Sequence, residues 1–357
     1  MPYFTSVDLN AFKSFVENSI SLGPLTILSG LNGSGKSSVI QSIRMTLSAS
    51  EGNSPFLKGF GGYSDLKSNV ALLDNPIVIQ LNTKSNDEYR LIIDKNTYRY
   101  SGGEIVKNAE YVSADRLGPQ TYLPIMSEGT VGFTIGERGE YVADYYKYFE
   151  DIIINDSLLH ASISSRKLEH QLMAWMGEIS PGVKLIFDRL DNHDISHLEV
   201  DSFRATNTGF GISYSLPIIL SLLVMSSKGP VESLSNTRVA NWIQQNIINS
   251  PIILIENPEA HLHPRGQTAM GELVTRAAAS GVQVIVETHS DHFLDGIRIA
   301  IKEEKISSQD VNVKFFNKNK YGISEVTDIK IMKDGSIENW PDGFFDQMYK
   351  NLSRLSM

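Results

Sequence analysis

The sequence has 357 residues, a formal net charge of −9 and no cysteine, with a pI of about 5.4. Disulfides, thiolate zinc sites and a cysteine nucleophile are excluded, and the acidic balance argues against a globally basic nucleic-acid binder, leaving only a local basic patch. At 41% hydrophobic residues the chain can bury a sizeable core, and its length suits one large α/β domain carrying an inserted or appended lobe.

Residues 3–28 read as short strands: Tyr3–Leu9, Ala11–Phe15 and Leu25–Leu28, with turns expected at Asn18 and Gly23-Pro24. Met1-Pro-Tyr-Phe-Thr-Ser has no basic stretch followed by an apolar run, so no secretory leader is expected. Ile27-Leu-Ser-Gly-Leu-Asn-Gly-Ser-Gly-Lys-Ser-Ser38 then fits G-x-x-x-x-G-K-[ST] through Gly30, Gly35, Lys36 and Ser37. An apolar strand leads into it, and a helical pattern (Val39, Ile40, Ile43, Leu47) leads out, which is the context a phosphate loop requires. Glycines let successive N–H groups converge on one anion, and the helix adds the positive end of its dipole. Gly30, Asn32, Gly33, Ser34, Gly35, Lys36, Ser37 and Ser38 are the candidate ATP contacts. Lys36 supplies charge to the β- and γ-phosphates and Ser37 a hydroxyl to Mg²⁺.

A Gly-, Ser- and Asn-rich segment, 49–65, separates this helix from strand-like runs at Ile77–Leu81, Tyr89–Ile93 and Thr97–Tyr100, an expected antiparallel edge. Tyr111–Ala114 reads as a further strand before Asp115-Arg116-Leu-Gly-Pro119. From about 120 to 205 the character changes. Tyr141–Phe149 and Leu158–Trp175 have helical spacing, with strands near 183–187 and 197–203. A buried helix over Ser213–Met225 follows; that apolar run is too short to span a bilayer, and a soluble, cytoplasmic protein without a membrane is expected.

Ile252-Ile-Leu-Ile-Glu256-Asn-Pro-Glu259-Ala-His261-Leu-His263-Pro264 is the second strong signal. Four apolar residues ending in an acid make a buried parallel strand whose carboxyl end faces the ligand side of a doubly wound sheet. Glu256 there would hold Mg²⁺, and Glu259 would polarise the water that attacks the γ-phosphate. The third signal is a second buried strand, Val282–Glu287, ending in Thr-His289-Ser; His289 would bond the γ-phosphate and sense hydrolysis. His193 and His197 are spaced i, i+4, but read as a solvated face and not a metal pair. Gln267–Ala279 reads as a helix, and Val311–Phe316, Ile323–Ile331 and Ile337–Trp340 as closing strands.

These blocks, in this order, resemble the ABC-type ATPase heads of the SMC, RecF and OLD families. Glu256-Asn-Pro-Glu259 with His261-Leu-His263-Pro264 looks especially like bacterial ATPases linked to phage defence, and Trp340-Pro-Asp-Gly-Phe-Phe-Asp346 resembles the C-terminus of an uncharacterised bacterial family of such ATPases. The resemblance implies a P-loop NTPase of ABC-ATPase type, α/β in class. It would have a mixed sheet core, an antiparallel β edge and a mainly helical inserted lobe, with head parts at 1–119 and 206–357 around a lobe at 120–205.

The resemblance further implies that two heads close over two ATP molecules, each offering a signature segment to the other's nucleotide. The signature candidate is Thr208, Gly209, Gly211 and Ser213 at a helix start. The glutamine expected near the metal is Gln120, with Gln80 a distant second. The implied activity is Mg²⁺-dependent ATP hydrolysis that drives head dimerisation or higher homo-oligomers. It would control a separately encoded effector, a nuclease being one candidate, in antiphage defence. The alternatives are a repair ATPase that clamps DNA directly, and a nucleotide-gated scaffold with little turnover.

Overall fold

The structure, a computed structural model, describes residues 4–72, 75–85, 87–105, 108–127, 132–207 and 209–356, apart from the side chains of Ser233 and Tyr349. The chain divides into two compact units. The first, built from Pro2–Val106, Gln309–Met332 and Ile337–Met357, carries the phosphate loop; the second, built from Lys107–Ser308 and Lys333–Ser336, carries the acid turn.

In the first unit, β1 (Phe4–Phe12), β2 (Phe15–Ser21), β4 (Ile77–Thr83), β5 (Glu88–Ile93) and β6 (Tyr98–Ser101) form an antiparallel sheet in the order β2-β1-β4-β5-β6, with β3 (Leu25–Gly30) lying outside it. Strict alternation produces it: Ile77, Ile79 and Leu81 are buried on one face, as a period of two demands. The helix α1 (Lys36–Ser50) packs on that face and buries Val39, Ile40, Ile43 and Leu47; a short α2 (Tyr63–Leu66) follows it. The first turn is not at Asn18, which lies inside β2 opposite Leu9. The chain reverses at Lys13-Ser14, where Phe12 pairs with Phe15 and Lys13 takes φ 51°. Two phenylalanines turned into the core fix this register, and they outweigh the turn preference of asparagine.

In the second unit, β7 (Ala109–Val112), β12 (Ile252–Glu256) and β13 (Gln283–Glu287) are parallel, with β12 between the other two and Glu256 level with Glu287. The expected parallel core is therefore present, and Ile252, Ile253, Leu254 and Ile255 are all buried. Between β7 and β12 run β8 (Leu123–Pro124), α3 (Val142–Phe149), α4 (Leu168–Gly177), β9 (Leu185–Leu190), β10 (Ile195–Val200), β11 (Phe203–Arg204), α5 (Phe210–Met225) and α6 (Thr237–Asn249). Strands β8 to β11 make a small antiparallel sheet, with β10 pairing β8, β9 and β11, and α3 packs on it. Helical spacing from Leu158 becomes helix only at Leu168; Asn155 caps a single 3₁₀ turn that ends at Leu158. His193 lies in the β9–β10 turn and His197 on β10, so they share no helix face.

Helices α7 (Pro264–Ala279) and α8 (Asp291–Lys302) flank β13 in the chain and cross closely. A Cβ at Gly271 would lie 2.2 Å from the Phe293 carbonyl oxygen, and one at Gly296 would lie 2.1 Å from that of Thr268. Only glycine permits this approach. In the first unit again, β14 (Val311–Lys318) pairs parallel with β3 and antiparallel with β15 (Ser324–Ile329), and α9 (Gln347–Leu355) ends the chain. Ile337–Trp340 is not a strand; one bridge, Ile331 to Ile337, is all that forms, and Pro341 next in line has no N–H to extend it. No helix among the described residues is long and apolar enough to cross a membrane.

The edge strand β7 buries a carboxyl completely. Glu110 accepts from Thr134 Oγ1 at 2.8 Å and from the Ile135 N–H at 3.1 Å. Burial pushes its pKa from 4.5 up to about 7, against the two hydrogen bonds, with the Glu140 charge adding to the rise. The folded state therefore holds this proton more tightly than the unfolded chain. Stability is unaffected below the unfolded value and falls as pH rises toward the folded one. Glu110→Gln keeps the acceptor and removes the ionisation. Its advantage over the wild type in urea unfolding should grow between pH 4.5 and 7 and then level off, at about 3 kcal/mol at most. A pH-independent difference would contradict this.

Candidate functional site

The phosphate loop runs from the end of β3 into α1. Three glycines hold left-handed or related conformations: Gly30 at φ 138°, Gly33 at 71° and Gly35 at 109°. Gly30 passes so close to β14 that a Cβ would lie 2.1 Å from the Phe316 carbonyl oxygen, and at Gly35 one would meet the Phe15 ring at 2.7 Å. Gly35 caps α1 without any side-chain bond to the first turn, so that turn presents its amides to whatever lies at the helix end. Lys36 is buried, and its ammonium donates to the carbonyls of Gly30 at 3.1 Å and Leu31 at 2.9 Å within the loop. Ser34 Oγ donates to the Leu31 carbonyl at 2.7 Å, while Asn32, Gly33 and Ser37 are exposed and Ser38 is buried. Ser324 on β15 braces the loop from outside by donating to the Ser34 carbonyl at 2.6 Å.

The acid turn lies at the carboxyl ends of β12 and β13. Glu256 ends β12 half-buried, and its Oε2 accepts from the Ala114 N–H at 3.3 Å. Asn257 turns at φ 46° and donates its N–H to the Glu287 carbonyl at 2.9 Å. Glu259 reaches across to the end of β13: Oε1 accepts from the His289 N–H at 2.7 Å and Oε2 from Thr288 Oγ1 at 2.9 Å. Burial pushes the Glu259 carboxyl up, while those donors and the Arg116 charge pull it down. The His289 ring is exposed, with Nε2 3.9 Å from Glu287 Oε1. Glu259 thus holds the His289 backbone at the end of β13, while Glu256 ends the neighbouring strand β12.

Sequence reasoning passed over Arg116. It is 1% exposed and donates through Nη1 to the carbonyls of Ser113 (2.8 Å) and Glu256 (2.7 Å), and through Nη2 to that of Asn257 (2.6 Å). Glu287, level with Glu256, was read only as a strand end. A charged residue closing an apolar strand was the available signal for Glu287; Arg116, four residues past the end of β7, carried none.

The other candidates are more dispersed. Gly209 caps α5 without a side-chain bond, Gly211 and Ser213 lie in the first turns, and Thr208 lies outside the described residues. Gln120 is exposed, its amide donating to the Gly118 carbonyl at 3.4 Å. Gln80 sits on β4 and donates to Asn82 at 2.9 Å. His263 caps α7, its Nδ1 accepting from the Arg265 N–H at 3.4 Å. Among the described residues no group of three or more His, Cys, Asp or Glu side chains is arranged to hold a metal ion alone.

A family profile described as an AAA domain matches residues 6–197, more than half of the chain. The chain belongs to that family. A second AAA ATPase domain profile matches residues 178–294 of this AAA protein, and a profile for a protein of unknown function (DUF3696) matches residues 306–355. The AAA matches agree with the ATPase resemblance, and the third falls on the Trp340–Asp346 ending. Similar solved structures include an SMC head bound to the C-winged helix domain of ScpA (16% identity over 93% of this chain and 99% of that one, TM-score 0.46). An SMC head domain from Thermotoga maritima is 13% identical over 92% and 99% of the two chains, with TM-score 0.43. The recombination mediator protein RecF with ATP is 12% identical over 91% and 99%, with TM-score 0.45. These likenesses are loose. No curated protein matches the sequence.

Proposed function

We propose that this AAA protein binds and hydrolyses Mg²⁺-ATP. Lys36 and the loop amides take the phosphates, Ser37 and Glu256 the metal, Glu259 orients and deprotonates the attacking water, and His289 reads the γ-phosphate. The observation that carries this reading is the phosphate loop itself. Three glycines in conformations that other residues rarely adopt precede an uncapped helix, with a buried lysine at its first position. Glycine at these positions costs conformational entropy on folding, and a loop whose amides converge on one anion is what that cost secures. When bound, the metal neutralises phosphate charge and fixes the geometry of the reacting oxygens.

The grip of Glu259 on Thr288 and His289 supports a coupling of nucleotide state to the shape of the switch loop. On this reading the nucleotide state drives closure of two heads, the α5 start with Gly209, Gly211 and Ser213 meeting the other head's ATP. Closure then governs a separately encoded effector, in antiphage defence. Because both Glu259 oxygens already accept hydrogen bonds, a slow, gated turnover is the second reading. Light scattering of Glu259→Gln with ATP, with ADP and without nucleotide tests closure. A larger mass with ATP alone is expected, because a ligand shifts assembly only through its preference for the closed state. The same mass in all three conditions would remove ATP-driven closure.

A further inference from the structure

Arg116 costs the fold something. Removing a guanidinium from water is unfavourable unless its donors are met, and among the described residues its Nε has no acceptor. Burial lowers its pKa to about 10, which still leaves it charged at neutral pH. Its return is geometric. Three bonds from one planar fork join the end of β7 to two successive carbonyls of the acid turn, a span that a single ammonium does not reproduce. The charged and titratable groups around it are Glu259, Tyr214, Glu256 and Tyr111.

The guanidinium also lies 5.1 Å from the Tyr214 ring centre, within cation–π range. Tyr214 stands on the second turn of α5 and meets the His261 ring edge-on at 4.6 Å. Phe210, the first residue of α5, stacks on the same imidazole at 5.4 Å, and a Cβ at Gly211 would lie 3.1 Å from the His261 carbonyl oxygen. His261 itself is held at φ 63° and Asn257 at 46°, in the left-handed region that few residues other than glycine enter. The first turns of α5 therefore press on both ends of the Glu256–His261 segment, through His261 directly and through Tyr214 on Arg116.

We propose that Arg116 is a positioning residue for the acid turn, and that Tyr214 and His261 tie it to the start of α5, so that displacement of this helix end alters the rate of hydrolysis without altering nucleotide affinity. This rests on the reading of Glu256 and Glu259 as the hydrolytic acids. Arg116 touches no reacting atom in this account; it acts by placing those that do.

The test measures kcat for ATP and the affinity for a fluorescent ATP analogue in the wild type, Arg116→Lys, Arg116→Ala, Tyr214→Leu and Tyr214→Phe. Small misplacement of reacting groups can cost up to about 10²-fold. Arg116→Lys and Tyr214→Leu should therefore lose about 10- to 100-fold in kcat with affinity within about threefold of wild type. Tyr214→Phe keeps the ring face and should recover most of what Tyr214→Leu loses. Arg116→Ala should regain rate with added guanidinium ion and not with sodium chloride of equal ionic strength, which a merely structural role would not produce. Should Arg116→Ala fail to fold, the other variants still decide. Wild-type kcat in Tyr214→Leu, or kcat and affinity falling together in Arg116→Lys, overturns the proposal while leaving the ATPase reading intact. Absence of hydrolysis by the wild type overturns both.

Discussion

Lys36→Ala is expected to bring ATP hydrolysis to background and to weaken nucleotide binding, with the fold retained. Lys36 begins α1, where alanine is the best helix former, so the helix loses nothing by the change. The ammonium donates to the loop carbonyls of Gly30 and Leu31, both in the loop itself and not in the core. On the proposed reading, what disappears is a charged donor to phosphate, and charge-assisted bonds of this kind are about twice as strong as neutral ones. Removing one donor from a preorganised anion site costs about 10²–10³-fold in rate, and here a full charge goes with it. Circular dichroism and thermal unfolding report the fold, and a titration with a fluorescent nucleotide reports binding. Turnover at wild-type level in a folded Lys36→Ala protein would remove the assignment of the loop.

The second large effect is Glu259→Gln, with an expected loss of about 10²–10⁴ in kcat, the usual range for a general base. Glutamine preserves the shape. Its carbonyl oxygen can still accept from the His289 N–H, and its amide can face Thr288 Oγ1, which then accepts where it now donates. The acid turn should therefore keep its fold, and ATP affinity should change little. A structural role alone gives a different pattern: Glu259→Gln would then retain most of the rate and Glu259→Ala would lose it, because only alanine releases the switch loop. Single-turnover kinetics on the two variants separate base from brace.

The loop and the acid turn were legible for a common reason. Each concentrates residue types that are costly anywhere else: glycines at positive φ, and carboxylates at the ends of apolar strands. The β12 and β13 strands were equally plain, since buried parallel strands are apolar throughout. Local pattern failed where distant packing decides. Asn18 looks like a turn residue but lies within β2, because Phe12 and Phe15 turn the chain earlier. Helical spacing over Leu158–Leu168 is real, but Gln171 takes backbone groups a helix would need, accepting from the His160 N–H at 2.7 Å and donating to the Ser165 carbonyl. Arg116 and Glu110 were invisible as buried groups. A lone charge in a sequence reads as solvated, and only the structure shows which carbonyls or hydroxyls await it. The role of Tyr214 and His261 was hidden in the same way, since their contact joins residues 47 positions apart.

Phosphate release by the purified wild-type protein with ATP and Mg²⁺, set beside Lys36→Ala and Glu259→Gln prepared identically, decides whether this chain hydrolyses ATP. Steady release from the wild type is predicted, lost on chelating Mg²⁺ and reduced to background in both variants. Lys36→Ala should also have lost nucleotide affinity, and Glu259→Gln should have kept it. No release from a wild-type protein that binds ATP would contradict the hydrolytic account, as would equal release from all three proteins.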